Sequence, residues 1–311
     1  MKIIYANELP LSDELKTGIA ATIGFFDGVH LGHRFLINQL KERAKELSIP
    51  SAVITFPVHP RKILQANYLP ELLTTFEEKL YQLSTTGVDY CIVIDFSKEL
   101  SEYTAGLFIQ KVLSEQLNVK SLLVGYDHKF GKDRADGFEQ YKEYGKTVQM
   151  EIVLASPLLP GEKNLSSTLI RKLLQDGNVR EASQLLSYNY ELEGIVVDGN
   201  KMGRKMGFPT ANIQLSDAGK IIPSIGIYAV RVRFDNQQYK GMLYIGNRPT
   251  LFEQGECRIE VNIFNFEGNL YNKDIVVEFV DFIREDIKFN RPEDLIKQLE
   301  QDNKTAISLL A

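Results

Sequence analysis

The sequence predicts an α/β domain with a doubly wound parallel sheet, followed by a small antiparallel β-barrel domain with a C-terminal helix. In the first half, apolar runs of strand length alternate with segments of helical periodicity, which is typical of a parallel sheet covered by helices. From Tyr190 onward, strands follow one another with turns between them, and helical spacing returns only at residues 292–310. A chain of 311 residues accommodates two domains, and the change of period divides it into 1–186 and 187–311.

The individual elements follow from the same patterns. Each predicted strand is a short run rich in apolar and β-branched residues, and each predicted helix repeats apolar residues every three or four positions. In the first domain the predicted strands are 19–23, 51–56, 90–96, 120–125 and 147–154. Its predicted helices are 34–47, 76–85, 104–117, one that opens at Thr168, and a short one after Asn178. The barrel strands are predicted at 192–197, 227–234, 239–245, 258–266 and 275–283, before the helix at 292–310.

Composition and charge exclude several classes of function. A net charge of −5 leaves no basic footprint for nucleic acid, and no apolar run approaches the length of a membrane span. The N-terminus lacks the basic and apolar regions of a signal peptide, so we expect a cytoplasmic protein without a membrane partner. Cys91 and Cys257 lie far apart in strand-like runs, and we expect both to be buried free thiols. The sequence leaves the oligomeric state open.

The first candidate site is the segment 24–33, Gly-Phe-Phe-Asp-Gly-Val-His-Leu-Gly-His, which joins the first predicted strand to a helix. Such turns bind ligands in open α/β sheets, because glycines admit a ligand to the backbone and a helix N-terminus favours anions. His30 and His33 are three residues apart, so both imidazoles can face one side and donate hydrogen bonds to a polyphosphate. The same spacing fits two histidines exposed at the surface, or two of the ligands of a zinc site. A zinc site would need further ligands, and no Cys/His cluster accompanies these two residues in the sequence.

Two further motifs of the first domain admit both a ligand-binding and a structural interpretation. Asp127 follows a predicted strand and fits a contact to a ribose or base, or else a turn in which it bonds its own backbone. Ser166 and Ser167 can cap the next helix, or bind phosphate together with Arg171 or Lys172. Because two histidines stand upstream, we interpret this segment as the second wall of an ATP site.

The second domain carries a glycine-spaced basic loop followed by Pro-Thr-Ala-Asn. Its backbone N–H groups can wrap phosphate, and oxygens of Thr210 and Asn212 suit Mg²⁺, although a plain barrel hairpin also accounts for these residues. Farther along, Glu260 alternates with Ile259 and Val261, so its side chain points to the opposite face, toward Thr210 and Asn212. Glu260 is the one carboxylate of that predicted strand and a candidate base for a hydroxyl nucleophile, or else an exposed strand glutamate.

These motifs together resemble one family. Gly-Phe-Phe-Asp-Gly-Val-His resembles the nucleotidyltransferase signature in the form found in bifunctional bacterial riboflavin kinase/FAD synthetases, and Ser-Ser-Thr-x-Ile-Arg at 166–171 resembles their second nucleotide motif. Gly-Arg-x-x-Gly-Phe-Pro-Thr-Ala-Asn at 203–212 and Ile-Gly-x-Arg-Pro-Thr at 245–250 resemble their riboflavin kinase motifs. The resemblance spans essentially the whole chain. It implies that riboflavin and ATP give FMN and ADP in the second domain, and that FMN and a second ATP give FAD and pyrophosphate in the first.

The resemblance also implies roles for individual residues, with ATP, riboflavin, FMN and FAD as substrates or products and Mg²⁺ as cofactor. The implied catalytic residues are His30, His33, Arg171 and Glu260. The implied ATP contacts are Gly24, Phe25, Phe26, Asp27, Gly32, Asp127, Ser166, Ser167, Thr168, Gly199, Lys201, Gly203 and Gly207. The implied flavin contacts are Arg284 and Asn262, and the implied metal ligands are Thr210 and Asn212.

The flavin side departs from the family's usual Glu-x-His, Asp-Phe and Asp-Leu-Tyr-Gly. Asparagine stands at the altered positions, which are Asn262, Asn265, Asn269 and Asn272. Two alternatives therefore stay open: an FAD synthetase whose barrel binds flavin without phosphorylating it, and a flavin or nucleotide sensor without activity. A sensor would be expected to lose His30, His33 or Glu260, and all three are present.

Overall fold

The chain folds as two compact units, Met1–Ser166 and Ser167–Ala311. The computed structural model describes residues 1–6, 15–65, 71–125, 129–132, 136–158, 165–198, 207–247 and 257–311. The second unit begins upstream of residue 187, where the change of period predicts the boundary.

A parallel sheet forms the centre of the first unit. Its strands are β1 (Lys2–Tyr5), β2 (Ile19–Ile23), β3 (Ser51–Thr55), β4 (Tyr90–Val93), β5 (Val119–Val124) and β6 (Glu151–Leu154). They lie in the order β1-β4-β3-β2-β5-β6, and every pairing is parallel. The strand order reverses between β2 and β5, and open α/β sheets bind ligands at such a switch point, beyond the carboxyl ends of the strands. The predicted doubly wound sheet is confirmed.

Helices cover both faces of this sheet. They are α1 (Leu31–Leu47), α2 (Pro60–Leu64), α3 (Phe76–Ser84), α4 (Lys98–Ser101), α5 (Ala105–Phe108), which continues as a π-helix over Ile109–Gln116, and α6 (Phe138–Thr147). One buried cluster includes Ile37 and Leu40 of α1 with Leu83 of α3, and the other includes Phe108 and Tyr141. Each face of the sheet is therefore buried, which explains why every residue of β2 and β3 is buried instead of every second one.

The sequence prediction differs from the structure mainly at the margins of the sheet. It missed the edge strand β1, the short helices α2 and α4 and helix α6, and it began the last strand at residue 147 instead of Glu151. Helix α6 carries the aromatic residues Phe138, Tyr141 and Tyr144 but no aliphatic one among its polar residues, so it lacks the aliphatic stripe that marks α1. Strands β1 and β6 have four residues each, too few for periodicity to mark their ends.

The second unit is a closed antiparallel barrel with helices attached. Its strands are β7 (Glu191–Val197), β8 (Ala211–Leu215), β9 (Gly226–Phe234), β10 (Gln237–Asn247), β11 (Cys257–Ile263) and β12 (Asp274–Arg284). They close in the order β10-β11-β8-β7-β12-β9. The C-terminal helix α9 (Pro292–Leu309) belongs to a buried cluster in which Ala306 and Leu310 lie with Ile227, Ala229 and Met242. The predicted barrel and its C-terminal helix are confirmed, and β8 is a strand that the sequence prediction missed.

Two helices that precede the predicted boundary belong to the barrel unit. They are α7 (Ser167–Gln175) and α8 (Val179–Leu186). The backbone N–H of Ser224 donates to the carbonyl of Leu174 at 3.1 Å, and Arg180 forms an ion pair with Asp281 of β12. These contacts attach the helix pair to the barrel.

A fragment that begins at Ser167 should therefore be more stable than one that begins at Ser187, although both should give β-rich circular dichroism. Val179, Ala182 and Leu186 are buried on α8, so we expect its removal to lower the free energy of unfolding by at least about 3 kcal/mol. Urea unfolding of the two purified fragments measures this difference. Equal midpoints would favour a boundary at 187, and helix-dominated circular dichroism of the shorter fragment would contradict an independent β domain.

The structure also bears on membrane spans and on the two cysteines. None of the helices in the described part of the chain is long and apolar enough to cross a membrane. Cys91 is a buried free thiol on β4, as expected, whereas Cys257 is exposed, so the expectation for Cys257 was wrong. Cys257 is the first residue of β11, where the strand has not yet entered the core.

Candidate active sites

The turn after β2 has an unusual backbone. Phe26, Gly28 and Val29 have φ angles of 56°, 77° and 38°, in the left-handed region. Gly28 adopts this conformation without strain, but a β-branched residue such as Val29 does so at a cost. Phe26 and Val29 are both buried, so the surrounding structure must hold the turn in place.

Asp27 supplies much of that support. Its carboxylate, 4% exposed, accepts hydrogen bonds from the backbone N–H groups of Leu73 and Thr74 at 3.0 and 3.2 Å and from the Thr74 hydroxyl at 3.3 Å. The N–H of Gly28 donates to the same hydroxyl at 3.1 Å. The side chain of Asp27 thus holds the turn against the segment that leads into α3. Both oxygens of this carboxylate accept hydrogen bonds from within the protein.

The two histidines lie together at the start of α1. Their rings stack with centroids 3.7 Å apart and planes inclined by 17°. His30 is the N-cap of the helix, and its Nδ1 accepts from the backbone N–H of His33 at 3.4 Å. Because Nδ1 is an acceptor, we assign the proton of His30 to Nε2, which leaves Nε2–H as a donor. A Cβ on Gly32 would lie 3.2 Å from the His30 ring, so this position needs a small residue.

This arrangement can bind and activate a phosphate group. The N-terminus of a 17-residue helix carries a partial positive charge, and imidazole donors stand in its first turn. Strand β5 pairs with β2, so the motif that contains Asp127 starts at the neighbouring strand end. Asp127 itself lies outside the described residues. The structure therefore brings the histidine turn and the described start of the Asp127 motif to one switch point.

The Ser-Ser-Thr motif opens α7, as the sequence predicts. Ser167 is the first residue of the helix, Ser166 stands directly before it, and Thr168 is exposed. Arg171 is partly exposed on the next turn, whereas Ile170 is buried. This pattern leaves Arg171 on the more accessible side of α7.

In the barrel, Glu260 occupies the predicted face. Ile259 and Val261 are 4% and 1% exposed on the inner side, which confirms the alternation. Glu260 lies directly opposite Tyr244 of β10 and Asn212 of β8, so these three side chains share the other face. The Thr210 hydroxyl donates to Oε2 of Glu260 at 3.4 Å. The structure thus brings both predicted metal ligands and the predicted base together.

Two neighbours orient the groups on this face. The Nε of Arg258 donates to Oε1 of Glu260 at 2.6 Å, which leaves Oε2 directed toward Thr210. The hydroxyl of Tyr244 donates to Asp286 at 3.1 Å. Burial, with the nearby Asp286 carboxylate, raises the pKa of Tyr244 to about 12, so this phenol stays protonated at neutral pH.

The two predicted flavin contacts are both held by other residues. The side-chain amide of Asn262 donates to the carbonyl of Pro209 at 2.7 Å, so it anchors the segment that contains Thr210. The guanidinium of Arg284 donates from Nε at 3.0 Å and from a terminal nitrogen at 2.7 Å to Asp302 of α9. Asp302 is 1% exposed. Arg284 is thereby fixed between the barrel and its C-terminal helix.

For three of the four asparagines that depart from the family pattern, the local backbone conformation accounts for the choice of asparagine. Asn265 and Asn272 have φ angles of 54° and 63°, and asparagine is the residue other than glycine that best tolerates this region. The side-chain oxygen of Asn269 accepts from the backbone N–H of Tyr271 at 3.0 Å, as an aspartate would in the same turn. The substitutions are therefore compatible with the turn geometry they occupy.

A pocket of about 220 Å³ opens beside Thr210. Its surface is almost evenly divided between apolar and polar groups. The lining residues are Val196, Pro209, Thr210, Ala211, Val261, Ile263, Phe266, Gly268, Asn269, Leu270 and Tyr271. Such a pocket suits a flat heteroaromatic ring next to a polar tail.

Some predicted residues lie outside the described part of the chain, and some functional neighbours were not predicted. Gly199, Lys201 and Gly203 lie outside the described residues, whereas Gly207 is exposed with φ at 83°.

Sequence reasoning missed Thr74, Arg258 and Asp302. The spacing of two between Arg258 and Glu260 on one strand could have revealed that pair. Thr74 and Asp302 contact their partners only through the tertiary fold.

Comparisons with known proteins agree with the two-site arrangement. A family model described as FAD synthetase matches residues 12–169, and one described as riboflavin kinase matches residues 186–310. A bifunctional riboflavin kinase/FMN adenylyltransferase from Haemophilus influenzae is 37% identical over 290 residues, which cover 93% of each chain. A protein with the same description from Listeria monocytogenes is 34% identical, and the match covers 100% of this chain and 99% of that one.

One solved structure is similar over almost the whole chain. It is described as a macrolide-efflux protein from Streptococcus pneumoniae, with a TM-score of 0.86, 31% identity and 98% coverage of both chains. That description names a different activity, whereas the two family models and the curated relatives agree with one another.

Proposed function

The chain belongs to the family of bifunctional riboflavin kinase/FMN adenylyltransferases, and we propose that the two sites described above carry out the family's two reactions. The protein phosphorylates riboflavin with ATP to give FMN and ADP. It then adenylylates FMN with a second ATP, which gives FAD and releases pyrophosphate. Its partners are thus small-molecule substrates.

We propose that adenylyl transfer occurs at the turn after β2. A phosphate oxygen of FMN attacks the α-phosphorus of ATP, and the bond to pyrophosphate breaks. Nε2–H of His30 and the imidazole of His33 donate to the phosphoryl oxygens as charge develops there. Gly24, Phe25, Phe26, Asp27 and Gly32 would contact ATP from the same turn. Further proposed residues of this site are supported by the sequence motifs alone, and they are Asp127, Ser166, Ser167, Thr168 and Arg171.

The kinase site is proposed at Glu260. The terminal hydroxyl of the ribityl chain attacks the γ-phosphorus of ATP, ADP leaves, and the hydroxyl proton passes to the carboxylate of Glu260. Arg258 holds one carboxylate oxygen, so the other is available on the Thr210 side. Asn262 and Arg284 would bind the flavin, as the sequence motif implies.

The residues around Glu260 fit Mg²⁺. Thr210 and Asn212 offer neutral oxygens beside a carboxylate, which is the hard donor set that this ion prefers when it also shares phosphates and waters. Bound there, Mg²⁺ would neutralise charge on the transferred phosphate. The basic loop with Gly199, Lys201, Gly203 and Gly207 would hold the phosphates, and the pocket beside Thr210 would receive the adenine.

The contact between Glu260 and Thr210 is the single observation that carries this proposal, because it separates the bifunctional enzyme from its rivals. A synthetase whose barrel only binds flavin has no need for a carboxylate beside two metal-type oxygens. Turn geometry accounts for Asn265, Asn269 and Asn272, which weakens the argument for that rival and leaves it resting on Asn262. A sensor without activity is disfavoured by the retained histidine pair. A cytoplasmic location stays a prediction from the sequence.

Incubation of the protein with riboflavin, ATP and Mg²⁺, resolved by chromatography, tests the proposal. We expect both FMN and FAD to appear, and FAD to form when FMN is supplied. Turnover of FMN without turnover of riboflavin would favour the synthetase alone. No turnover of either flavin would favour the sensor. Omission of Mg²⁺ should abolish FMN formation.

A further inference from the structure

Helix α3 carries a buried lysine that joins two strand ends of the parallel sheet. Lys79 is 2% exposed, and its Nζ donates to the carbonyl oxygen of Phe56 at 2.7 Å. The same Nζ lies 4.0 Å from the centroid of the Phe25 ring. Phe25 follows β2 closely and Phe56 follows β3 directly, so one ammonium group holds both carboxyl ends where the ligand is expected.

The contacts of Lys79 continue into the candidate site. The ring of Phe25 meets the ring of His59 edge to face, with centroids 4.7 Å apart. Helix α3 also supports the turn at two other points: Thr74, just before the helix, bonds Asp27, and Gln82 near its end accepts from Arg34 at 2.8 Å. The helix therefore contacts the histidine-bearing segment on both sides of His30 and His33.

Burial of this ammonium has a cost that packing alone does not explain. Burial lowers the pKa of Lys79 from its ordinary value of 10.5 to about 8, although the Asp27 carboxylate acts in the opposite direction. An apolar side chain of similar volume at a buried charged position often leaves stability unchanged or increases it. A buried cation beside a phosphate-binding turn is thus better explained by the geometry it maintains.

We propose that Lys79 is a positioning residue for adenylyl transfer, which acts by fixing the Phe25 and Phe56 strand ends so that the turn with His30 and His33 keeps its geometry. This inference rests on the proposed function of the first unit. Lys79 itself is buried and acts through its neighbours rather than by touching ATP.

Substitution of Lys79 by methionine separates positioning from stability. Lys79→Met keeps an unbranched side chain that is one atom shorter, and it removes the charge and the donor. We expect the turnover number for adenylylation of supplied FMN to fall about 10-fold or more, because small displacements of reacting groups have large effects on rate. The melting temperature should stay at or above that of the parent. Lys146→Met makes the same change at an exposed lysine and should leave the rate unchanged.

The kinase site of the same chain serves as an internal reference. Riboflavin phosphorylation by Lys79→Met should equal that of the parent, and Lys79→Arg, which keeps the charge, should recover part of the adenylylation rate. Adenylylation at the parent rate by Lys79→Met would overturn the proposal. A loss of rate that tracks a lower melting temperature would also overturn it. A parent that does not adenylylate FMN would instead refute the function of the unit.

A pH profile of the parent tests the proposal without any substitution. Asp27 on the turn and Cys91 on β4 are the titratable groups that act on Lys79, and burial raises the pKa of Cys91 to about 12, so this thiol stays neutral. Between about pH 8 and 10.5 the unfolded chain binds the proton that the folded chain has released, so the Lys79 contribution to stability rises with pH.

The adenylylation rate should change in the opposite direction. A neutral amine is attracted only weakly to the face of Phe25, so the rate should fall above about pH 8 in the parent and stay level in Lys79→Arg. The phosphorylation rate of the same preparation is the reference at each pH. A parent profile that is flat from pH 7 to 9.5, relative to that reference, would refute the positioning role.

Discussion

Replacement of His33 by alanine should lower the rate of FMN adenylylation by about 10²- to 10³-fold while riboflavin phosphorylation persists. The ring of His33 stacks on that of His30 at the N-terminus of α1, where a phosphoryl group would gain charge in the transition state. Loss of one preorganised donor at such a position typically has an effect of this size. His33 is a cleaner target than His30, because His30 also caps the helix, and its removal would lower stability as well.

The measurement is the steady-state rate of FAD formation from supplied FMN and ATP. Asn38→Ala, on an exposed position of the same helix, is the matched control and should behave as the parent. Because the phosphorylation site belongs to the other compact unit, its rate reports whether the rest of the chain remains intact. Unchanged FAD formation by His33→Ala would remove His33 from the proposed mechanism.

Glu260→Gln should lower FMN formation by about 10²-fold or more and leave adenylylation of supplied FMN intact. Glutamine keeps the size of the side chain and an oxygen for Arg258, but it cannot accept a proton from the ribityl hydroxyl. No other carboxylate lies on β11, so the strand offers no substitute base. The expected loss is therefore in the turnover number rather than in binding.

A second strand glutamate provides a matched control for this prediction. Glu191 on β7 forms an ion pair with Arg233, and both carboxylate oxygens accept at 2.7 Å. Glu191→Gln thus weakens a comparable pair in the same barrel without touching the proposed base, and it should phosphorylate riboflavin at the parent rate. If Glu260→Gln does the same, Glu260 has no catalytic role. A parent that makes no FMN would support the synthetase-only alternative.

Much of the fold could be predicted because the determining signals are local. Buried parallel strands are continuous apolar runs, amphipathic helices repeat at three or four residues, and antiparallel strands are separated by turns. These periods are properties of neighbouring residues, so β2, α1 and the change to a barrel near Tyr190 could be read from the sequence. The alternation around Glu260 is local in the same sense, and it placed the carboxylate on the correct face.

Other features depend on residues that are distant in the sequence. Asp27 is a candidate ATP contact in its motif, but its carboxylate is used by Leu73 and Thr74, 46 and 47 residues away. The ammonium of Lys79 donates to the carbonyl of Phe56, 23 residues away in the sequence, and that contact lies at the carboxyl end of β3. Such partners are brought together by the packing of α3 on the sheet, which no pattern along the chain describes.

The sequence by itself determined the two-domain architecture, the strand-to-helix turn with its histidine pair, and the face on which Glu260 lies, because each depends on short-range periodicity or spacing. Only the tertiary structure decided that α7 and α8 join the barrel unit, that Arg284 is held by Asp302, that Asp27 bonds Thr74, and that Lys79 lies over the Phe25 ring. Burial and long-range hydrogen bonds control those outcomes, and both exist only after the chain has folded.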